Sequence, residues 1–129
     1  MSKILFLDDN PFRHREMKKL DANVEHVYNA NEALKCLQEK NYDLIMLDHD
    51  LNEDPEYLTI NPSGEYVAAQ MGRNMPQHIE TPVVIHSLNP AGAKNMREIL
   101  EDHGYMFVHT IPFAWNKIRM RDGQPVFER

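Results

Sequence analysis

Two short apolar runs in this sequence break off into acidic residues: Lys3 to Leu7 ends at Asp8-Asp9, and Leu44 to Leu47 ends at Asp48-His49-Asp50. Two more end in histidine, Pro82 to Ile85 at His86-Ser87 and Tyr105 to Val108 at His109. Carboxylates crowded together repel one another unless a cation sits among them, and an oxygen-rich set of this kind suits Mg²⁺, Mn²⁺ or Ca²⁺. Histidine adds groups that give and take protons near neutrality. Asp8, Asp9 and Asp48 are therefore a candidate metal or phosphate site. A single aspartate would carry less weight, since Asp9 or Asn10 could cap a first helix and Asp50 could open a turn.

These residues need a scaffold that brings strand ends together. Each apolar run reads as a strand buried on both faces, and helical patterns separate them. Asn10-Pro11 starts a helix reaching about Leu20, and a weak strand covers Val24 to Tyr28. Asn31 is a possible cap for a second helix with Ala33, Leu34 and Leu37 on one face. A third helix starts at Gly64, and Asn89-Pro90 opens a fourth carrying Met96, Ile99, Leu100 and His103. Strict alternation predicts a three-layer α/β domain with a parallel sheet, in which ligands bind beyond the carboxyl ends of the strands. Asp8, Asp9, Asp48, His49, Asp50, His86, Ser87 and His109 should then border one crevice. Between Leu51 and Ser63 lies an irregular stretch with two prolines, a length of loop that is often functional and is placed here to act as a lid.

The alternation ends near Pro112. Ile118 and Met120 alternate with Lys117, Arg119 and Arg121, and Asp122-Gly123 is a strong two-residue turn, so a β-hairpin is expected in place of a fifth helix. At 129 residues the chain is expected to be one domain, with residues 1–112 as its body and 113–129 as the hairpin tail. The net charge of -6 argues against sequence-independent binding of duplex nucleic acid. No apolar stretch has the length of a membrane span. With a lone Cys36 and no secretory leader, a reducing, cytoplasmic setting is expected. Phe113 and Trp115 are candidates for stacking a base or, more ordinarily, for covering the core. His14, His26, His78 and His103 read as packing or surface residues. Gly-rich phosphate loops, zinc-finger spacings and nucleophile elbows are lacking.

Asp8-Asp9, the stretch NANEALKCLQEKNYDLIMLD ending in Asp48, and the Pro82 to Ser87 segment together resemble the receiver domain of response regulators, a CheY-like, flavodoxin-like (βα)5 fold. The resemblance spans residues 3–112. It implies that Asp8 and Asp9 bind Mg²⁺ or Mn²⁺ with Asp48 and the backbone carbonyl of Asp50. It also implies that Asp48 occupies the phosphoacceptor position and Ser87 that of the strand-four hydroxyl. The departures matter equally. Ile111 stands before Pro112 where receivers have lysine, the loop after Asp48 looks about eight residues longer, and the fifth helix is missing.

The Asp-His-Asp after the third strand and the His-Ser after the fourth are similar to the cyclic-phosphate-processing branch of receivers. That resemblance implies a metal-dependent phosphoesterase acting on a cyclic phosphate in a nucleotide or at an RNA end. Asp48, His49, His86, Ser87 and His109 would then be catalytic, and Asp8, Asp9, Asp48 and Asp50 would hold the metal. A neutral imidazole would activate water and a protonated one would assist the leaving oxygen. One alternative is a stand-alone receiver phosphorylated on Asp48 by a kinase and signalling through a protein partner. Another is a pseudo-receiver serving only as an interaction module. A monomer or weak dimer is expected.

Overall fold

The computed structural model describes residues 2–51 and 63–128, so all but the ends of the expected lid loop lies outside the described residues. Strands β1 (Lys3–Leu7), β2 (Asn23–Val27), β3 (Leu44–Leu47), β4 (Val83–Ile85) and β5 (Val108–Thr110) form one parallel sheet in the order β2-β1-β3-β4-β5. Helices α1 (Pro11–Met17), α2 (Ala30–Glu39), α3 (Gly64–Asn74) and α4 (Pro90–Asp102) connect the strands. A one-turn helix α5 (Ala114–Lys117) then leads into the hairpin of β6 (Ile118–Arg121) and β7 (Gln124–Phe127).

Alternation along the strands sorts side chains into two cores. Leu5, Leu7, Ile45, Leu47, Val83 and Ile85 pack under α2, α3 and α4, joined by Leu37, Val67, Met71, Met96 and Leu100. Ile4, Phe6, Leu44, Met46 and Val84 face the other way, covered by Met17 of α1, Ala114 and Ile118, with Trp115, Met120 and Phe127 packed alongside. The hairpin therefore takes the place on this face that a full fifth helix would occupy. Asp122 and Gly123 adopt positive φ (53° and 77°), the backbone a two-residue hairpin turn requires, and Ser2 Oγ donates to Gly123 O at 2.5 Å.

Several boundaries differ from expectation. The first helix stops at Met17, three residues before Leu20. Asn29, not Asn31, caps α2: its backbone is extended and its side chain accepts from Glu32 N at 2.9 Å. Pro82 lies outside β4, and the tail keeps one helical turn ahead of the hairpin. The largest shift is in β5, expected at Tyr105 to Val108. Tyr105 is held to the end of α3 instead, its hydroxyl donating to Met75 O at 2.7 Å and Met71 O at 3.2 Å, so pairing begins at Val108. His109 consequently sits in mid-strand, level with Val84 and lining a cavity of about 830 Å³ beneath the hairpin.

Gly64 opens α3 where its chain crosses β3's end. A Cβ there would lie 2.1 Å from the Asp48 backbone oxygen and 2.8 Å from His49 Cα. Neither backbone can yield cheaply, so Gly64→Ala is expected to destabilise the fold by about 3 kcal/mol or more, measured by urea unfolding.

Candidate metal centre

Asp8 and Asp48 follow β1 and β3, which are neighbours in the sheet, so their carboxylates meet at its carboxyl edge. Both are buried. Each commits one oxygen to the backbone: Asp8 Oδ1 accepts from Asn10 N at 2.8 Å, and Asp48 Oδ1 from His49 N at 2.9 Å. The other oxygens face Arg13 of α1, whose Nη1 lies 3.2 Å from Asp8 Oδ2 and 3.6 Å from Asp48 Oδ2. The guanidinium in turn lies 5.7 Å from the Trp115 ring centre.

Arg13 is the residue that reading the sequence missed. A cation on a short amphipathic helix reads as a solvated charge; its position two residues into the turn after Asp8-Asp9-Asn10-Pro11 was the available signal. It places a fixed positive charge on the carboxylates in a chain that has Ile111 in place of lysine. Trp115 packs in the second core near Phe12 and Phe113, as expected of a covering aromatic.

Burial raises Asp8 to about 6, against the backbone bond from Asn10 and the charge of Arg13. Asp48 is pushed up to about 7 by burial and by the charge of Asp8. Because these native values exceed the unfolded ones, the stabilising contribution of protonation is full below about pH 4 and is lost as pH rises through 6 and 7. The buried histidines work in the opposite sense. Burial lowers His86 to about 3 and His26 to about 4 and also depresses His14, so their neutral rings favour the fold as pH rises toward 6.5. Asp48→Asn separates the two effects. In metal-free buffer the variant should gain steadily on the wild type as pH rises from about 4 toward 7, read from unfolding midpoints.

His86 is fully buried beside this pair. Its ring stacks on Phe6 (centroids 5.0 Å apart), Nε2 lies 3.1 Å from Leu7 O, and Nδ1 lies 3.6 Å from Asp8 Oδ2. Among the described residues, ligating atoms of Asp8, Asp48 and His86 lie within 4.8 Å of one another. Asp9 is outside that trio, though near enough for its charge to raise both aspartates. His14 contributes from behind: Nε2–H donates to Asp8 O at 2.7 Å, and Nδ1 pairs with His26 Nδ1 at 2.8 Å.

The remaining predicted residues are placed elsewhere. His49 turns toward α3, with Nδ1 2.6 Å from Asp50 Oδ1 and Nε2 3.0 Å from Glu65 Oε1. Burial opposes the charge on its ring, but these two carboxylates outweigh it and raise the pKa. A Cβ on Gly92 would come 2.5 Å from this ring, so α4 closes the space behind it. The Asp50 carboxylate is engaged by His49 and by Asn89 Nδ2 at 3.2 Å. Ser87 is buried next to His86; its Oγ accepts from Asn89 N at 3.0 Å, and the residue lines a cavity of about 510 Å³ shared with Leu88, Lys94, Arg97 and Phe113. His109 does not join the acidic pair. His78 is buried with Nε2 2.7 Å from Leu37 O, a packing residue, and His103 is exposed with its ring against Gly72, a surface residue. Among the described residues no helix is long and apolar enough to cross a membrane.

Residues 3–102 match the family model described as the cyclic-phosphate processing receiver domain. No curated protein matches the chain. Solved structures similar to it include the phosphorylated cyanobacterial phytochrome response regulator RcpA, at 21% identity over 86% of this chain and 79% of that one, with a TM-score of 0.65. The CheY-like receiver domain protein of Methanospirillum hungatei is similar at 16% identity over 90% and 86% of the chains, TM-score 0.64. The Mn²⁺-bound form of response regulator Rcp1 is similar at 18% identity over 86% and 81%, TM-score 0.62. At these identities the likeness establishes the CheY-like fold.

Proposed function

Because this chain belongs to the family of cyclic-phosphate processing receiver domains, we propose that its acidic pocket is a divalent-metal centre that opens a cyclic phosphate by hydrolysis. The substrate class is a 2′,3′-cyclic nucleotide or RNA end. The observation that carries the reading is the buried Asp8–Asp48 pair, two carboxylates in one pocket that among the described residues share Arg13 as their counter-charge. Such a pair fits a divalent ion, and the Mn²⁺-bound form of Rcp1 supports the same use of this fold. When bound, the ion supplies a Lewis acid for a phosphoryl oxygen and a more acidic water.

The chain's own residues divide the remaining work. Asp8 and Asp48 would hold the ion, with Asp9 adding negative charge at the rim and Asp50 its backbone carbonyl. Arg13, now paired with the two carboxylates, is the planar fork suited to a phosphoryl oxygen. Ser87 accepts from Asn89 and keeps its own hydroxyl proton for a second oxygen. The cavity beside Ser87, with Phe113 at its wall and Lys94 and Arg97 at its rim, suits the sugar and base. His49 is a positioning residue, pinning the Asp48–Asp50 turn to α3.

A second reading has one observation in its favour: Asp48 ends β3 as a phosphoacceptor would, and RcpA, of the same fold, is known phosphorylated. The missing lysine before Pro112 weighs against it. Calorimetric titration with Mg²⁺ and Mn²⁺, repeated with a 2′,3′-cyclic nucleotide and followed by product analysis, separates the two. Ring opening that needs the metal supports the esterase. Metal binding without turnover, joined to acetyl-phosphate labelling lost in Asp48→Asn, would replace it with the phosphoacceptor.

A further inference from the structure

His86 reaches from the end of β4 across the end of β3 to β1, and its two ring nitrogens meet different partners. Nε2 faces the carbonyl of Leu7 at 3.1 Å. A carbonyl can only accept, so Nε2 carries the hydrogen and Nδ1 presents a lone pair. That lone pair points at Asp8 Oδ2 across 3.6 Å, beyond hydrogen-bonding distance, and Nδ1 is buried with no hydrogen-bond partner. Two acceptors facing each other in a dry pocket are unfavourable unless a positive charge lies between them. The ion-pair contacts of Arg13 run to Asp8 and Asp48 and leave Nδ1 unmatched.

We propose that His86 Nδ1 is a direct ligand of the divalent ion, completing with Asp8 and Asp48 a nitrogen-and-two-oxygen set that favours Mn²⁺, Co²⁺ or Zn²⁺ over Mg²⁺. The inference rests on the metal-centre reading above and changes the role of His86 from proton carrier to ligand. Its surroundings are those of a ligating histidine. The second nitrogen donates to a backbone carbonyl, which fixes the tautomer, and the Phe6 face fixes the ring plane. Phe6, Leu7 and Asp8 are consecutive, so the end of β1 and the residue after it supply the plane, the orientation and a ligand. An all-carboxylate pocket takes Mg²⁺ readily, whereas an imidazole shifts preference along the first-row series.

The full chain, stripped with chelator and loaded with Mn²⁺, is examined by pulsed electron paramagnetic resonance for a directly coordinated ¹⁴N. Competition titrations should show Mn²⁺ binding about tenfold or more tighter than Mg²⁺. The nitrogen coupling is expected in the wild type and absent in His86→Asn, with the preference for Mn²⁺ lost alongside. If His86→Asn does not fold, His49→Gln serves instead and must retain the coupling; its loss there would assign the nitrogen to His49 and overturn the proposal. Tight Mn²⁺ binding without nitrogen coupling overturns the ligand role alone. Failure to bind any divalent ion overturns the metal centre together with it.

Discussion

Asp48→Asn is expected to weaken divalent-metal binding by about 100-fold or more and to lower cyclic-phosphate turnover by about a thousandfold. The carboxamide keeps the shape but removes one of the two buried negative charges that face Arg13. The loss cannot be put down to unfolding, because the same substitution relieves the repulsion between Asp48 and Asp8 and should stabilise the metal-free protein above pH 6. Calorimetry and a melting curve on one sample therefore move in opposite directions. A variant that binds Mn²⁺ as tightly as the wild type would remove Asp48 from the metal centre.

Arg13→Ala should separate two quantities that usually fall together. The guanidinium occupies the side of both carboxylates that an ion needs, so its removal should tighten metal binding about tenfold. Without it the phosphoryl oxygen loses its forked partner, and kcat/KM for a 2′,3′-cyclic nucleotide should fall about 100-fold. Arg13→Lys should recover only part of that activity, since an ammonium cannot form the bidentate pair. Stability of the metal-free protein should drop by about 3 kcal/mol at neutral pH, since the buried carboxylates of Asp8 and Asp48 lose their partner, and the drop should shrink as pH falls and they protonate. Equal changes in metal affinity and activity would show that Arg13 acts on the metal alone.

The parallel sheet was legible because its strands are apolar throughout and stop at charged residues, a pattern set by burial on both faces. Asn10-Pro11, Asn89-Pro90 and Asp122-Gly123 marked helix starts and a turn for local reasons, and local rules transfer from sequence to structure. Boundaries decided by distant contacts did not transfer. Tyr105 looks like a strand residue until its hydroxyl is seen bonded to the carbonyls ending α3, and that partner is some thirty residues away. Choosing between Asn29 and Asn31 needed the backbone angle at the cap.

The site divided in the same way. Asp8 and Asp48 could be paired by strand order, whereas alternation after Ile85 left open which of His86 and Ser87 would face the crevice. His49 could not be placed, because the chain leaves the strand at that point and the carboxylates of Asp50 and Glu65 decide its direction. His109 was displaced along with β5. Arg13 gave no periodic signal, since its role depends on α1 lying over the carboxyl edge of the sheet.

The two cores also differ in when they can close during synthesis. The one under α2, α3 and α4 is complete once residue 108 has been made. The other has only α1 to cover Ile4, Phe6, Met46 and Val84 until Ala114, Ile118 and the hairpin arrive. A nascent chain halted near residue 112 thus carries a finished face and an open one, with Phe6 and the ring of His86 on the open side. Domains fold as their residues emerge, and uncovered apolar sheet recruits chaperones. The hairpin is the closing step, and proteolysis of stalled nascent chains should show protection of the α1 face appearing last.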